Sequence, residues 1–233
     1  MRALRAVVHG LGELSITLGL LLLLFVAWQL WWTDVESDRT QLATTRGLER
    51  TWQRELPVVP PSSAKPAVRQ VADVPAGEAF ALIRVPRFGA DYVRPIVAGT
   101  ELSVLERGVG HYDGTAGPGE VGNFALAGHR VTYGKPFNQI AELRPGDPIV
   151  IETRTTWYVY RVQRHTIVTP DRVDVVAPVP ERPGVVATQR MLTMTACHPE
   201  FSARQRYVVF SRLAQTVAKT GGVVPDVLTA AAS

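Results

Sequence analysis

Seven or eight short β-prone runs, each bounded by glycine, proline or aspartate, predict an all-β barrel or sandwich over residues 76–213. Helical candidates in that region are brief. Ahead of it, a long apolar segment without a charge predicts one membrane-spanning helix. The 233 residues are 46% hydrophobic, enough for one compact domain with appendages. A net charge of +4, spread along the chain, does not suggest a nucleic-acid partner.

The span runs from Leu14 to Trp32, LSITLGLLLLLFVAWQLWW. As a helix it is roughly 28 Å long, close to the hydrocarbon thickness of about 30 Å. Arg2 and Arg5 precede it while Asp34, Glu36 and Asp38 follow, which places residues 1–13 in the cytoplasm and everything after Trp32 outside. No small-x-small cleavage site follows, so the segment reads as an uncleaved signal anchor in the lipid bilayer. Residues 33–75 read as an extracellular stalk, helical as far as Leu56, followed by a proline-rich linker.

Within the folded region the predicted strands are FALIRVP (80–86), RPIVAG (94–99), NFALAG (123–128), DPIVIET (147–153), WYVYRVQR (157–164), MLTMTAC (191–197) and YVVF (207–210). A hairpin turn is expected at residues 153–156. Helical turns are expected at 101–107, 137–143 and 171–176, and the glycine-rich GVGHYDGTAGPGE reads as a loop. Residues 214–233 are small and polar and are expected to form a loose tail.

The chemistry centres on Cys197, the single cysteine, which excludes a disulfide framework. Leu192, Met194 and Ala196 alternate with Thr193, Thr195 and Cys197, so a strand puts the thiol on the face opposite the apolar one. Pro199 stops that strand, and a turn returns Arg206 towards Cys197, where a guanidinium favours the thiolate. A buried cysteine acting as a small hydrophobe is the competing reading. His129 ends an apolar run and stands where a strand opens into a loop, a common place for a catalytic group. His198 is next to the thiol in sequence, but neighbours in a strand face opposite ways, which argues against it as the base. Asp171, Asp174 and Glu181 lack the spacing of a calcium loop, and no metal or other cofactor is expected.

GNFALAGHR, KPFNQIAELRPGD and LTMTACHPEFSARQR, in that order behind an N-terminal anchor, resemble the sortases, and GHR-x-TYG and CHP most resemble class E. The resemblance covers roughly residues 77–213. It implies an eight-stranded β-barrel with His129, Cys197 and Arg206 in the family's catalytic positions. Thr195, Ala196, Tyr133 and His198 border these three as candidate substrate-binding residues. The family's Thr-Leu-x-Thr-Cys is here Thr193-Met194-Thr195-Ala196-Cys197, so the threonine before the nucleophile is missing. If its hydroxyl helps to hold substrate, Ala196→Thr improves the enzyme; if a neighbouring group already fills the space, the same change overpacks and slows it.

The activity implied is that of a cysteine transpeptidase. Its acyl donor is a surface protein ending in a Leu-Pro-x-Thr-Gly or Leu-Ala-x-Thr-Gly sorting signal, cleaved after threonine. Its acceptor is a peptidoglycan-precursor amine. Two alternatives use the same residues differently: an anchored cysteine hydrolase of cell-wall peptides, and a non-catalytic anchored domain that binds wall polymers.

Overall fold

The structure, a computed structural model, describes residues 2–55, 74–219 and 222–229. Eight strands close into one barrel: β1 (Ala79–Arg84), β2 (Val93–Ala98), β3 (Val109–His111), β4 (Gly122–Ala127), β5 (Pro148–Glu152), β6 (Thr156–Val168), β7 (Arg190–His198) and β8 (Gln205–Ala218). Their order around the barrel is β1-β2-β3-β4-β7-β8-β6-β5, with β5 closing onto β1. Two pairings are parallel, β2 with β3 and β4 with β7; the others are antiparallel. Helix α1 (Arg2–Glu55) leads into the barrel, while α2 (Leu102–Leu105) and α3 (Asp226–Thr229) are single turns.

Strand alternation sorts the side chains. Ile83, Leu126, Ile151, Leu192, Met194 and Val209 gather with Phe124 and Tyr160 in one interior cluster. Fully burying each large apolar side chain stabilises by about 1.5–3 kcal/mol. The outer face is partly covered too, since Val208 and Phe210 of β8 pack with Val168 and Val175. Asn123 Nδ2 donates to the carbonyl of Ala177 at 3.0 Å and so pins the segment between β6 and β7 across β4.

Five of the predicted strands match to within a residue or two at each end; the longer differences have local causes. Strand β3 lies in the stretch read as a loop, because the glycines of that stretch carry no β-propensity. Gly110 is required there by close packing, since a Cβ on it would stand 2.6 Å from the Gly99 carbonyl oxygen. Strands β6 and β8 outrun their hydrophobic cores because they pair with each other from Val168↔Arg206 to Thr156↔Ala218. The loose tail expected from residue 214 is therefore strand as far as Ala218. Beyond it, Val227 and Leu228 of α3 pack against Trp157 and its neighbours. Residues 220–221 and 230–233 of that tail, and residues 56–73 of the expected linker, lie outside the described residues.

Helix α1 is long and apolar enough to cross a membrane, and the side chains of residues 14–29 are exposed on all sides. It continues without a break through the expected stalk. There Ser37, Gln41, Thr45 and Trp52 recur at helical spacing and are buried against the barrel. Asp38 pairs with Arg94 of β2 and Glu49 with Arg84 of β1, each at 3.1 Å. The stretch read as a helical stalk is thus a helix docked on the barrel, with a buried face that is mostly polar.

Glu152, 4% exposed, ties this side together: it accepts from Arg84 Nε at 2.8 Å and from Lys219 Nζ at 2.6 Å. Removing a buried partner leaves uncompensated charge, so Glu152→Ala lowers the unfolding free energy by about 3 kcal/mol. A lowered urea midpoint at unchanged slope checks it.

Candidate active site

Register brings the three chemical residues to one end of the barrel. Parallel β4 and β7 pair Leu126 with Met194 and Ala127 with Thr195, and Gly128 N–H extends the ladder to the Thr195 carbonyl at 3.1 Å. His129 follows Ala127 by two residues, as Cys197 follows Thr195. On the other side of β7, antiparallel β8 places Arg206 directly opposite Cys197. Cys197 and Arg206 thus stand on neighbouring strands about 4.8 Å apart, and His129 lies in the loop just past the end of β4, on the other side of β7. Cys197 is a free, partly exposed thiol.

The loop after β4 holds the imidazole. Its Nδ1 has Thr132 Oγ1 at 3.4 Å, and the Tyr133 ring lies tilted over it with centroids 4.9 Å apart. Its Nε2 is buried and has no hydrogen-bond partner among the described residues. Burial lowers the His129 pKa below its ordinary value, against a smaller raising effect from the Glu106 carboxylate. Phe137 seats the loop in the barrel interior and donates its N–H to the His129 carbonyl at 3.0 Å. Gly128 makes room for it: a Cβ there would stand 2.6 Å from the Phe137 ring.

Arg130 follows His129 directly in the GHR segment. Only 7% exposed, it donates through Nη1 to the Cys197 carbonyl at 3.3 Å and to His198 Nδ1 at 2.8 Å. Glu200 lies 3.6 Å from its Nη2. Arg130 therefore ties the histidine loop to the end of β7 that carries the thiol. Because guanidinium only donates, His198 Nδ1 must accept, which occupies that imidazole away from the thiol. Arg206 donates from Nη1 to the Ala203 and Gln205 carbonyls at 2.9 and 3.0 Å, which engages that arm of its fork with the turn before β8 and leaves the Nε–Nη2 edge to face outward contacts.

The flanking candidates separate. Tyr133 is brought to His129. Thr195 shares the face of Cys197 but is buried, with its hydroxyl engaged by Tyr112 Oη at 3.0 Å and the Leu126 carbonyl at 3.3 Å. Ala196 is on the other face, 2% exposed in the barrel interior, where it is paired with Tyr207. It is not brought to the site, because alternation turns every second residue of β7 inward. The acids weighed for calcium form ion pairs: Asp174 with Arg172, and Glu181 with Arg164.

The family model described as the sortase domain matches residues 83–214. The chain belongs to the sortase family. Sortase SrtE1 of Streptomyces coelicolor is 40% identical over 228 residues, covering 94% of this chain and 60% of the relative, so the chain spans about three fifths of that protein. Sortase SrtE2 of the same organism is 33% identical over 228 residues, covering 94% of this chain and 86% of the relative. Among solved structures, sortase E1 from Streptomyces coelicolor with a tripeptide in the active site superposes with a TM-score of 0.60 at 41% identity, over 65% of this chain and 97% of that one. The eight-stranded barrel is thus the sortase fold, and the family is one of cysteine transpeptidases.

The placement of Ala196 favours the overpacking outcome for a threonine there. A threonine there presents its hydroxyl to a packed interior, so Ala196→Thr costs about 1–3 kcal/mol of stability. The Michaelis constant for peptide does not improve. Thermal unfolding and steady-state kinetics of the variant check both parts.

Proposed function

We propose that this chain is a sortase transpeptidase in which Cys197 is the nucleophile, His129 the acid and base, and Arg206 the group that holds the developing oxyanion. The pairing of Cys197 with Arg206, with His129 in the loop just past β4, carries the reading. The Cys197 thiolate attacks the threonine carbonyl of a Leu-Pro-x-Thr-Gly or Leu-Ala-x-Thr-Gly sorting signal. The C–N bond breaks, and imidazolium His129 gives its proton to the departing glycine amine. The resulting thioester is attacked by an acceptor amine, whose proton passes to neutral His129. A new amide forms and the thiolate is released. The unpartnered Nε2 of His129 is the nitrogen available for these transfers. With Nη1 held by the turn, the Nε–Nη2 edge of Arg206 is the pair of donors that matches paired oxygens, which favours geometry over charge alone.

The acceptor is a peptidoglycan-precursor amine. Helix α1, crossing the cell membrane from a cytoplasmic N-terminus, holds the barrel outside, where sorting signals and that amine meet. Tyr133, against His129, is the flanking residue best placed to contact substrate; His198, turned to Arg130, is not. The test is incubation of the full chain with a panel of such peptides, with and without a glycine-based amine, followed by mass spectrometry. New amide only when amine is present supports the reading. Free acid in equal amount with and without amine identifies a hydrolase, and no cleavage identifies a binding domain.

Two predictions follow from the site. With His129 depressed from its ordinary value near 6.5, the acid limb of the rate profile lies below that value. The imidazolium share at pH 7 is then smaller than the roughly 24% of an unperturbed histidine, which slows turnover. A pH profile of peptide cleavage whose acid limb lies at or above 6.5 contradicts the assignment. Arg206→Lys keeps a charge but loses the fork, so turnover falls at least about 10²-fold. Alkylation of Cys197 by iodoacetamide changes far less.

A further inference from the structure

Gln41 is fully buried, yet it lies in the segment whose composition reads as a solvated stalk. Its Nε2 donates to the Tyr133 carbonyl at 2.9 Å. Two helical turns earlier, Asp34 receives the Gly134 N–H on Oδ1 at 3.3 Å and Lys135 Nζ on Oδ2 at 3.1 Å. Asp38, between them, is held by Arg94. The loop is shaped to meet these groups. Tyr133, Gly134 and Lys135 have φ of 52°, 70° and 37°, three consecutive residues in the left-handed region, where only glycine is at ease. A Cβ on Gly134 would lie 2.9 Å from Gln41 Nε2 and 3.0 Å from Asp38 Oδ1. The same few residues border His129, with Thr132 at its Nδ1 and the Tyr133 ring on its face.

We infer that Gln41, supported by Asp34, is a positioning residue: helix α1 holds the loop that sets the His129 imidazole against Cys197. This deepens the proposed reaction and rests on His129 being its acid and base. The contact begins two residues beyond the predicted span, so the segment that leaves the membrane is also the one that orders the reaction centre. The barrel without α1 lacks that support. Small misplacements of a reacting group cost far more in rate than in binding. Loss of the Gln41 donor therefore appears in kcat and not in KM.

The experiment compares the wild-type full chain, Gln41→Met and Glu49→Gln. Methionine keeps volume and helix propensity while removing the donor. The Glu49 variant breaks an α1–barrel ion pair remote from the loop, the one with Arg84. Gln41→Met is expected to lower kcat for peptide transfer by about 10-fold or more, with KM within about twofold, while Glu49→Gln keeps wild-type kcat. A second readout needs no turnover: the His129 ring resonances, by NMR of histidine-labelled chain, shift in Gln41→Met and stay in Glu49→Gln. Wild-type kcat together with unshifted His129 resonances in Gln41→Met overturns the inference. Equal kcat losses in both variants also overturn it, because α1 then acts through stability alone. Should the wild type transfer no peptide, the proposed reaction fails, and the His129 resonances still decide whether Gln41 orders the loop.

Discussion

The pairing of β7 with β4 on one side and β8 on the other is the constraint on which the site depends. Parallel register with β4 carries the chain towards His129 beside the end of β7, and antiparallel register with β8 sets Arg206 opposite Cys197. Side chains alternate with a period of two, so a slip of one residue in either pairing would turn Cys197 into the barrel interior and leave Ala196 facing out. Burial of Leu192 and Met194 in the interior cluster opposes such a slip, since both would be driven to the outer face. Arg130 adds a lateral tie, from the histidine loop to the last carbonyls of β7.

Helix α1 extends this dependence beyond the barrel. Its second half meets the barrel through Asp34, Asp38, Gln41 and Glu49, a face built of hydrogen bonds and ion pairs, with Trp52 beneath Lys219 as its aromatic anchor. Such an interface carries less hydrophobic stabilisation than the barrel interior, but it is directional. A polar face at helical spacing seats the chain in one register against the loop at residues 133–135, where an apolar stripe would tolerate sliding.

Much of this was legible in the sequence, and the exceptions have physical causes. The strands were legible because their cores alternate or run apolar between glycines and prolines. Strand β3 was not, because it is three residues long and its central Gly110 serves close packing and carries no pattern. Residue type, spacing and family likeness singled out Cys197, His129 and Arg206, and the structure pairs Cys197 with Arg206 and runs β4 beside β7 towards His129. Arg130 was hidden by its neighbour: a charged residue after a histidine reads as solvated until burial shows its partners. Ala196 was drawn to the site by its place beside Cys197, although alternation already turned it inward. The docked half of α1 was missed for the opposite reason to a core helix, because hydrophobic periodicity cannot reveal a buried face made of serine, glutamine and threonine.

The central claim is that acyl transfer runs through a thioester on Cys197. Rapid quenching of the full chain with a sorting-signal peptide, followed by peptide mapping in a mass spectrometer, tests it directly. The account predicts the acyl fragment ending in threonine attached to the segment that contains Cys197, accumulating without amine and vanishing when amine is added. Product formation with Cys197 unmodified at every quench time, and undiminished in Cys197→Ala, would contradict it.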